Sequence, residues 1–164
     1  MNILKYEKQV QLLLSVLPLV AKQNCFALHG GTAINLFHHN MPRLSVDIDL
    51  TYLPVEDRDT SIANINKSLH RISQQIESFL PDTSTLHLHK EAKLIVSDRE
   101  VSIKVEVNTI KRGCFKPPVT KALCENAQRK FEAFCEMQLV DNGHLFGGKM
   151  CAELETKLAK CKRY

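Results

Sequence analysis

A glycine pair followed at a fixed distance by an acid pair constrains this chain more than any other feature. The stretch Cys25-Phe26-Ala27-Leu28 is short and apolar and runs into Gly30-Gly31-Thr32. Asp47-Ile48-Asp49 begins fifteen positions after Thr32. That interval holds one short helix and a return strand. The chain therefore leaves a strand at the glycines and re-enters the sheet at the acids. On a strand, residues i and i+2 share a face, so Asp47 and Asp49 present two carboxylates together. Two facing carboxylates repel unless a cation or a proton sits between them. Oxygen-only donors of this kind suit Mg²⁺ or Mn²⁺. Glycines ahead of a helix let backbone N–H groups approach an anion, and the helix dipole favours one there. Thr32 adds a hydroxyl and is a candidate N-cap.

Hydrophobic periodicity supplies the surrounding elements. Tyr6, Val10, Leu13, Leu14, Leu17 and Val20 recur at helical spacing, and Pro18 is expected to kink or divide that helix. Residues 32–39 read as a short helix with Ala33, Leu36 and Phe37 inward, and 46–53 as a strand. Residues 59–80 read as a long helix carrying Ile62, Ile65, Leu69, Ile72, Ile76 and Phe79 on one stripe, capped by Asp57 or Asp59. Residues 85–96 and 101–110 read as a hairpin about Ser97-Asp98-Arg99-Glu100. In its second strand Val101, Ile103, Val105 and Val107 face one way, and Ser102, Lys104, Glu106 and Asn108 the other. A loop over 111–118, a helix over 120–130, a strand or a helix over 134–140 and a final helix over 145–162 complete the chain. This order predicts an α/β (α+β) fold, a mixed sheet flanked by helices.

Composition narrows the class. At 164 residues, with 44% hydrophobic and 24% charged residues, the chain has material for one ordinary globular core. A net charge of +4 leans basic without diagnosing nucleic-acid binding. The six cysteines contain no Cys-x-x-Cys pair, which argues against a zinc knuckle. With no secretory leader apparent, they are expected as reduced thiols of a cytoplasmic protein. No apolar run is long enough to span a membrane.

Two further residues join the candidates. Glu106 lies on the polar face of its strand, from which it can reach the same metal as Asp47 and Asp49. Two-metal phosphoryl-transfer sites need about that much negative charge. Lys149 follows Gly147-Gly148 near a helix start, where a cation is unfavourable unless an anion lies close. Each also has a structural reading: Glu106 as a partner of Lys104, Lys149 as a surface lysine, the glycines as a tight turn. His87 and His89 alternate on a strand face but have no local carboxylate, and read as satisfied or solvated histidines. The basic run Lys157 to Arg163 reads as a solvated helix end.

The arrangement resembles the polymerase-beta-like nucleotidyltransferase superfamily: Gly-Gly-Thr, a spacer, Asp-x-Asp, then a third acid on a later strand. The wording Leu28-His29-Gly30-Gly31-Thr32-Ala33-Ile34-Asn35-Leu36 with Arg43-Leu44-Ser45-Val46-Asp47-Ile48-Asp49-Leu50 resembles one branch, the AbiEii/AbiGii toxin family. Ile103 to Asn108 is similar to that family's strand with the third acid, and Leu145 to Ala152 to its lysine helix. The resemblance implies a nucleotidyltransferase-like fold and transfer of a nucleoside monophosphate from an NTP to an acceptor hydroxyl on tRNA, other RNA or protein. It implies that Asp47, Asp49 and Glu106 are catalytic and hold Mg²⁺ or Mn²⁺. It implies too that Gly30, Gly31, Thr32 and Lys149 bind the nucleotide. An antitoxin protein and a role in a toxin–antitoxin or phage-defence system follow as expected partner and context. The family's Arg-Asp-x-x-Asp turn and later helical part are absent before Tyr164, so residues 1–164 are expected as one domain lacking that C-terminal part. Two other readings stand beside this one. The first is a degenerate domain of the same fold that binds nucleotide, RNA or a protein partner without turnover. The second is a metal-dependent phosphohydrolase.

Overall fold

A computed structural model of the chain describes residues 3–147 and 150. Helix α1 (Ile3–Ala21) buries Val10, Leu13, Leu14, Leu17 and Val20, the side that the periodicity marks. Pro18 lies inside it and does not divide it. The missing N–H costs one bond in the final turns, where burial of Leu17, Leu19 and Val20 holds the chain.

Strand β1 (Phe26–His29) follows, and then a helical segment made of α2 (Gly30–Ala33) and a π-helical turn (Ile34–His38). Its N-cap is His29 and not Thr32. Gly30 takes φ +75°, so the chain swings into the helix at once. Thr32 is fully buried, and its hydroxyl donates to the Asp47 carbonyl, so it is spent on tying the helix to the next strand.

Strand β2 (Asp47–Tyr52) leads to α3 (Arg58–Phe79). Asp57 caps α3 by accepting from the Thr60 N–H at 2.9 Å. Ile65, Leu69, Ile72 and Ile76 are buried, whereas Phe79 is exposed and carries the Lys22 ammonium 4.9 Å above its ring.

The stretch 85–96 is two strands rather than one: β3 (Ser84–Leu88) and β4 (Lys93–Ser97). A 3₁₀ turn at His89–Glu91 and a left-handed Ala92 reverse the chain between them. No glycine, proline or asparagine marks this reversal, which is why alternation alone runs through it. The expected hairpin joins β4 to β5 (Ser102–Arg112), with Asp98 Oδ1 accepting from the N–H groups of Glu100 and Val101. The helix expected over 120–130 is a strand, β6 (Val119–Ala122), and then a shorter helix, α4 (Glu125–Phe131). Residues 119–122 pair with β7 (Glu136–Leu139), and this tertiary pairing overrides local helix preference. Of the final helix, residues 142–147 are helical; the remainder lies outside the described residues apart from Met150.

The strands form one mixed sheet in the order β3-β4-β5-β2-β1-β7-β6. Strand β2 runs antiparallel to β1 and parallel to β5, at the centre. Leu28, Ile48, Leu50, Ile103, Val105 and Val107 join Leu13, Leu17, Ile65, Leu69 and Ile72 in one core, through which α1 and α3 pack on the sheet. The alternate positions of β2 and β5 are left for the acids. No helix among the described residues is long and apolar enough to cross a membrane. Among them Cys25, Cys114, Cys124 and Cys135 are free cysteines.

Candidate active site

Strand register assembles the candidate acids. Asp49 stands opposite Glu106 across the parallel β2–β5 pair and opposite His29 across the antiparallel β1–β2 pair. Directly paired residues share a face, and so do i and i+2 along a strand. Asp47, Asp49, Glu106 and His29 therefore lie on one face, while Ile48, Leu50, Val105 and Val107 fill the core behind them. Asp47 pairs with Lys104 in the same ladder. His29, Asp49 and Glu106 line one crevice of about 260 Å³, together with Glu91 and Asn108.

The electrostatics follow from this crowding. Burial pushes the Asp49 carboxyl up to about 6, the charges of Asp47 and Glu106 push the same way, and Lys104 opposes them. Glu106 is half-exposed and lies 3.7 Å from the Lys93 ammonium, which also holds Glu91 at 3.0 Å. His29 is driven the other way, to about 4, by burial and then by His144 and Lys111, so its ring is neutral at pH 7. Its Nδ1 lies 3.0 Å from the Thr51 hydroxyl.

The glycine turn abuts these acids. A Cβ on Gly30 would collide with the Asp49 carboxylate, lying 3.2 Å from its Cγ, so only glycine admits Asp49 here. A Cβ on Gly31 would sit 3.2 Å from the Ser45 hydroxyl, which is itself 2.8 Å from that of Thr32. The Thr32 hydroxyl is thus turned inward. At the N-cap, His29 places no side chain on the first turn, so the N–H groups there are left without a side-chain acceptor. Lys149 lies outside the described residues.

As donors to a cation, the three carboxylates offer hard oxygens only, and burial, with the charges of Asp47 and Glu106 beside it, makes ionised Asp49 unfavourable without one. Their chemistry fits a divalent cation. In the present conformation no three His, Cys, Asp or Glu side chains among the described residues stand close enough together to hold one. His87 and His89 are settled otherwise: their rings stack 3.8 Å apart, and His87 Nε2 meets the Asn66 side-chain oxygen at 2.9 Å.

Sequence reasoning gave no role to His29, although it directly precedes Gly30. Its contact with the acids depends on the β1–β2 register, which no local pattern encodes. Arg112, Phe115 and His144 were also passed over. They line a larger cavity of about 720 Å³, which shares Ile110 with the acidic crevice.

Residues 11–161 match the family model described as "Nucleotidyl transferase AbiEii toxin, Type IV TA system". Comparison with curated proteins gives no match. Among solved structures, the chain is similar to MenT4, a nucleotidyltransferase toxin from Mycobacterium tuberculosis H37Rv. The TM-score is 0.65 and the identity 13%, over 89% of this chain and 52% of that one. The likeness supports the fold, and this chain spans about half the length of that toxin. With the family model covering nearly the whole sequence, the chain belongs to the AbiEii nucleotidyltransferase toxin family of type IV toxin–antitoxin systems.

Proposed function

We propose that this chain moves a nucleoside monophosphate from an NTP to an acceptor hydroxyl on RNA, tRNA included, or on protein. In this reading it is a single nucleotidyltransferase domain acting in the cytoplasm as the toxin of a pair with an antitoxin protein. The observation that carries the reading is the alignment of Asp49 with Glu106 across β2 and β5, beside a glycine that Asp49's close approach and a positive φ both require.

Asp47, Asp49 and Glu106 would hold Mg²⁺ or Mn²⁺. Such cations, when bound, lower the pKa of an attacking hydroxyl and offset the charge of a triphosphate and its leaving pyrophosphate. Gly30, Gly31 and Thr32 contribute backbone N–H groups to the triphosphate, while the Thr32 hydroxyl keeps the turn fastened to β2. Lys149 pairs with phosphate oxygens. Asp49 or Glu106 accepts the proton of the acceptor hydroxyl on a carboxylate oxygen. Neutral His29 holds its ring on Thr51 and adds no positive charge beside the acids.

The test is incubation with each α-³²P-labelled NTP, Mg²⁺ and total RNA or protein. Wild type is expected to label an acceptor and release pyrophosphate, and the Asp47→Ala/Asp49→Ala variant to do neither while keeping its circular dichroism spectrum. Labelling by that variant at the wild-type rate would discard the assignment. Release of inorganic phosphate in place of pyrophosphate would indicate a phosphohydrolase.

The ion pair between Lys93 and Glu106 favours one rival reading, a domain that binds nucleotide, RNA or a partner without turnover. Calorimetric binding of Mg²⁺ or NTP with no pyrophosphate release identifies it.

A further inference from the structure

The larger cavity beside the acids is built for a planar, acceptor-bearing ligand. A slip in the β2–β5 ladder creates it. Thr51 pairs with Asn108, but Tyr52 pairs with Arg112, so residues 109–111 bulge outward. The Asn108 side-chain oxygen fixes the bulge by accepting from the N–H groups of Ile110 and Lys111, each at 2.9 Å. Ile110 is thereby thrown to the rim between the two cavities and is 80% exposed. Ile110 lines both the acidic crevice and the larger cavity. His144 and Lys111, which line the larger cavity, are also the charges felt by His29 in the crevice.

The walls are mostly apolar, with Val55, Ile110 and Phe115 all exposed. The Phe115 ring is 96% exposed, and its centroid lies 6.2 Å from that of His144 at an interplanar angle of 53°. Apolar and aromatic surface of this kind beside a charged crevice suits stacking of a planar ligand. Two polar atoms in the same wall point to that ligand's chemistry. Arg112 Nη1 and His144 Nδ1 are shut off from solvent and have no hydrogen-bond partner among the described residues. Such groups are costly to leave unmatched. Guanidinium only donates, so the group that matches Arg112 is an acceptor.

We propose that this cavity binds the nucleobase of the NTP, stacking it on Phe115 and hydrogen-bonding its carbonyl oxygen to Arg112. This rests on the function proposed above, since the triphosphate then lies across Ile110 at the glycine turn. Uracil, cytosine and guanine carry an exocyclic carbonyl oxygen, whereas adenine has none and offers only ring nitrogens as acceptors, so ATP is the weaker ligand.

The experiment titrates the full chain in Mg²⁺ with UTP, CTP, GTP, ATP and inorganic tripolyphosphate. Wild type is compared with Phe115→Ala and Arg112→Met. Removing the solvent-facing Phe115 ring leaves the core intact, so that variant reads binding rather than folding. Wild type is expected to bind the carbonyl-bearing NTPs more tightly than ATP or tripolyphosphate. Each variant is expected to weaken those NTPs by about tenfold and to leave tripolyphosphate unchanged. Equal wild-type affinity for tripolyphosphate and all four NTPs overturns the proposal, as do variants that weaken every ligand alike or none. If transfer depends on Asp47 and Asp49 while binding ignores the base, the transferase reading stands and the base pocket falls. If binding depends on the base but no pyrophosphate is released, the pocket stands and the transferase reading falls.

Discussion

Asp49 is the residue at which folding and chemistry oppose each other. Its carboxyl, at about 6 against an ordinary 3.8, is easiest to accommodate when protonated. That contribution is complete below 3.8 and is lost as the pH rises through 6, so at neutral pH the ionised form is a cost. A shift of about two units corresponds to ~3 kcal/mol at face value, and to ~1–2 kcal/mol once solvent screening of this partly exposed group is allowed for. Asp49→Asn should therefore melt a few degrees above wild type at pH 7.5 in EDTA. His29 has the opposite slope: held at about 4 against 6.5, it lends stability above 6.5 that is lost as the pH falls through 4. The two slopes offset each other in the wild type. The Asn variant, with only the histidine slope left, should lose its advantage toward pH 4. Scanning calorimetry across pH 4–8 checks this, and a variant no more stable than wild type at neutral pH would contradict it. Asp47, Asp49 and Glu106 were legible as candidates because i, i+2 spacing and alternation are local. His29 was not, because its partner is twenty residues away across a turn.

The elements differ in how far their sequences specify them. Helix α3 is read almost to the residue, from its stripe of Ile65, Leu69, Ile72 and Ile76 and from Asp57. The Thr60 side chain, and then its N–H, hold the Asp57 carboxyl below its ordinary value, which marks the cap as engaged. Asp57→Ala should lower the melting temperature by roughly 2–4 °C, while Asp57→Asn retains most of it. Circular dichroism melts of the two variants decide the matter; equal loss in both would assign the effect to charge rather than to the cap. Strands β3, β4 and β6 were harder. The left-handed Ala92 between β3 and β4 has no residue signal, and β6 is a strand only because β7 offers it an edge. The π turn at Ile34–His38 is likewise invisible in the pattern, since its core-facing residues fit an α-helix equally well.

At the scale of the molecule, one sheet carries both the core and the acids, so binding and stability should be coupled. A ligand that binds only the folded chain raises stability by mass action. Titrating Mg²⁺ or Mn²⁺ should raise the melting temperature of wild type, by the equivalent of ~1.4 kcal/mol at about ten times Kd, and leave Asp47→Asn/Asp49→Asn unmoved. An equal shift in both would place the cation elsewhere. Because α1, α3 and all the central strands share a single core, the unfolding transition should be a single one by calorimetry and by circular dichroism alike.

The amino-acid order alone settled the strand–glycine–helix–acid arrangement, the polar face of β5 and the family, because each is written in local patterns: alternation along a strand, and a glycine turn and an acid pair fifteen residues apart. The tertiary structure decided which strands became neighbours. Hydrogen-bond register between distant segments, which no short window contains, set Glu106 and His29 on either side of Asp49 and opened a second cavity at the bulge beyond Asn108.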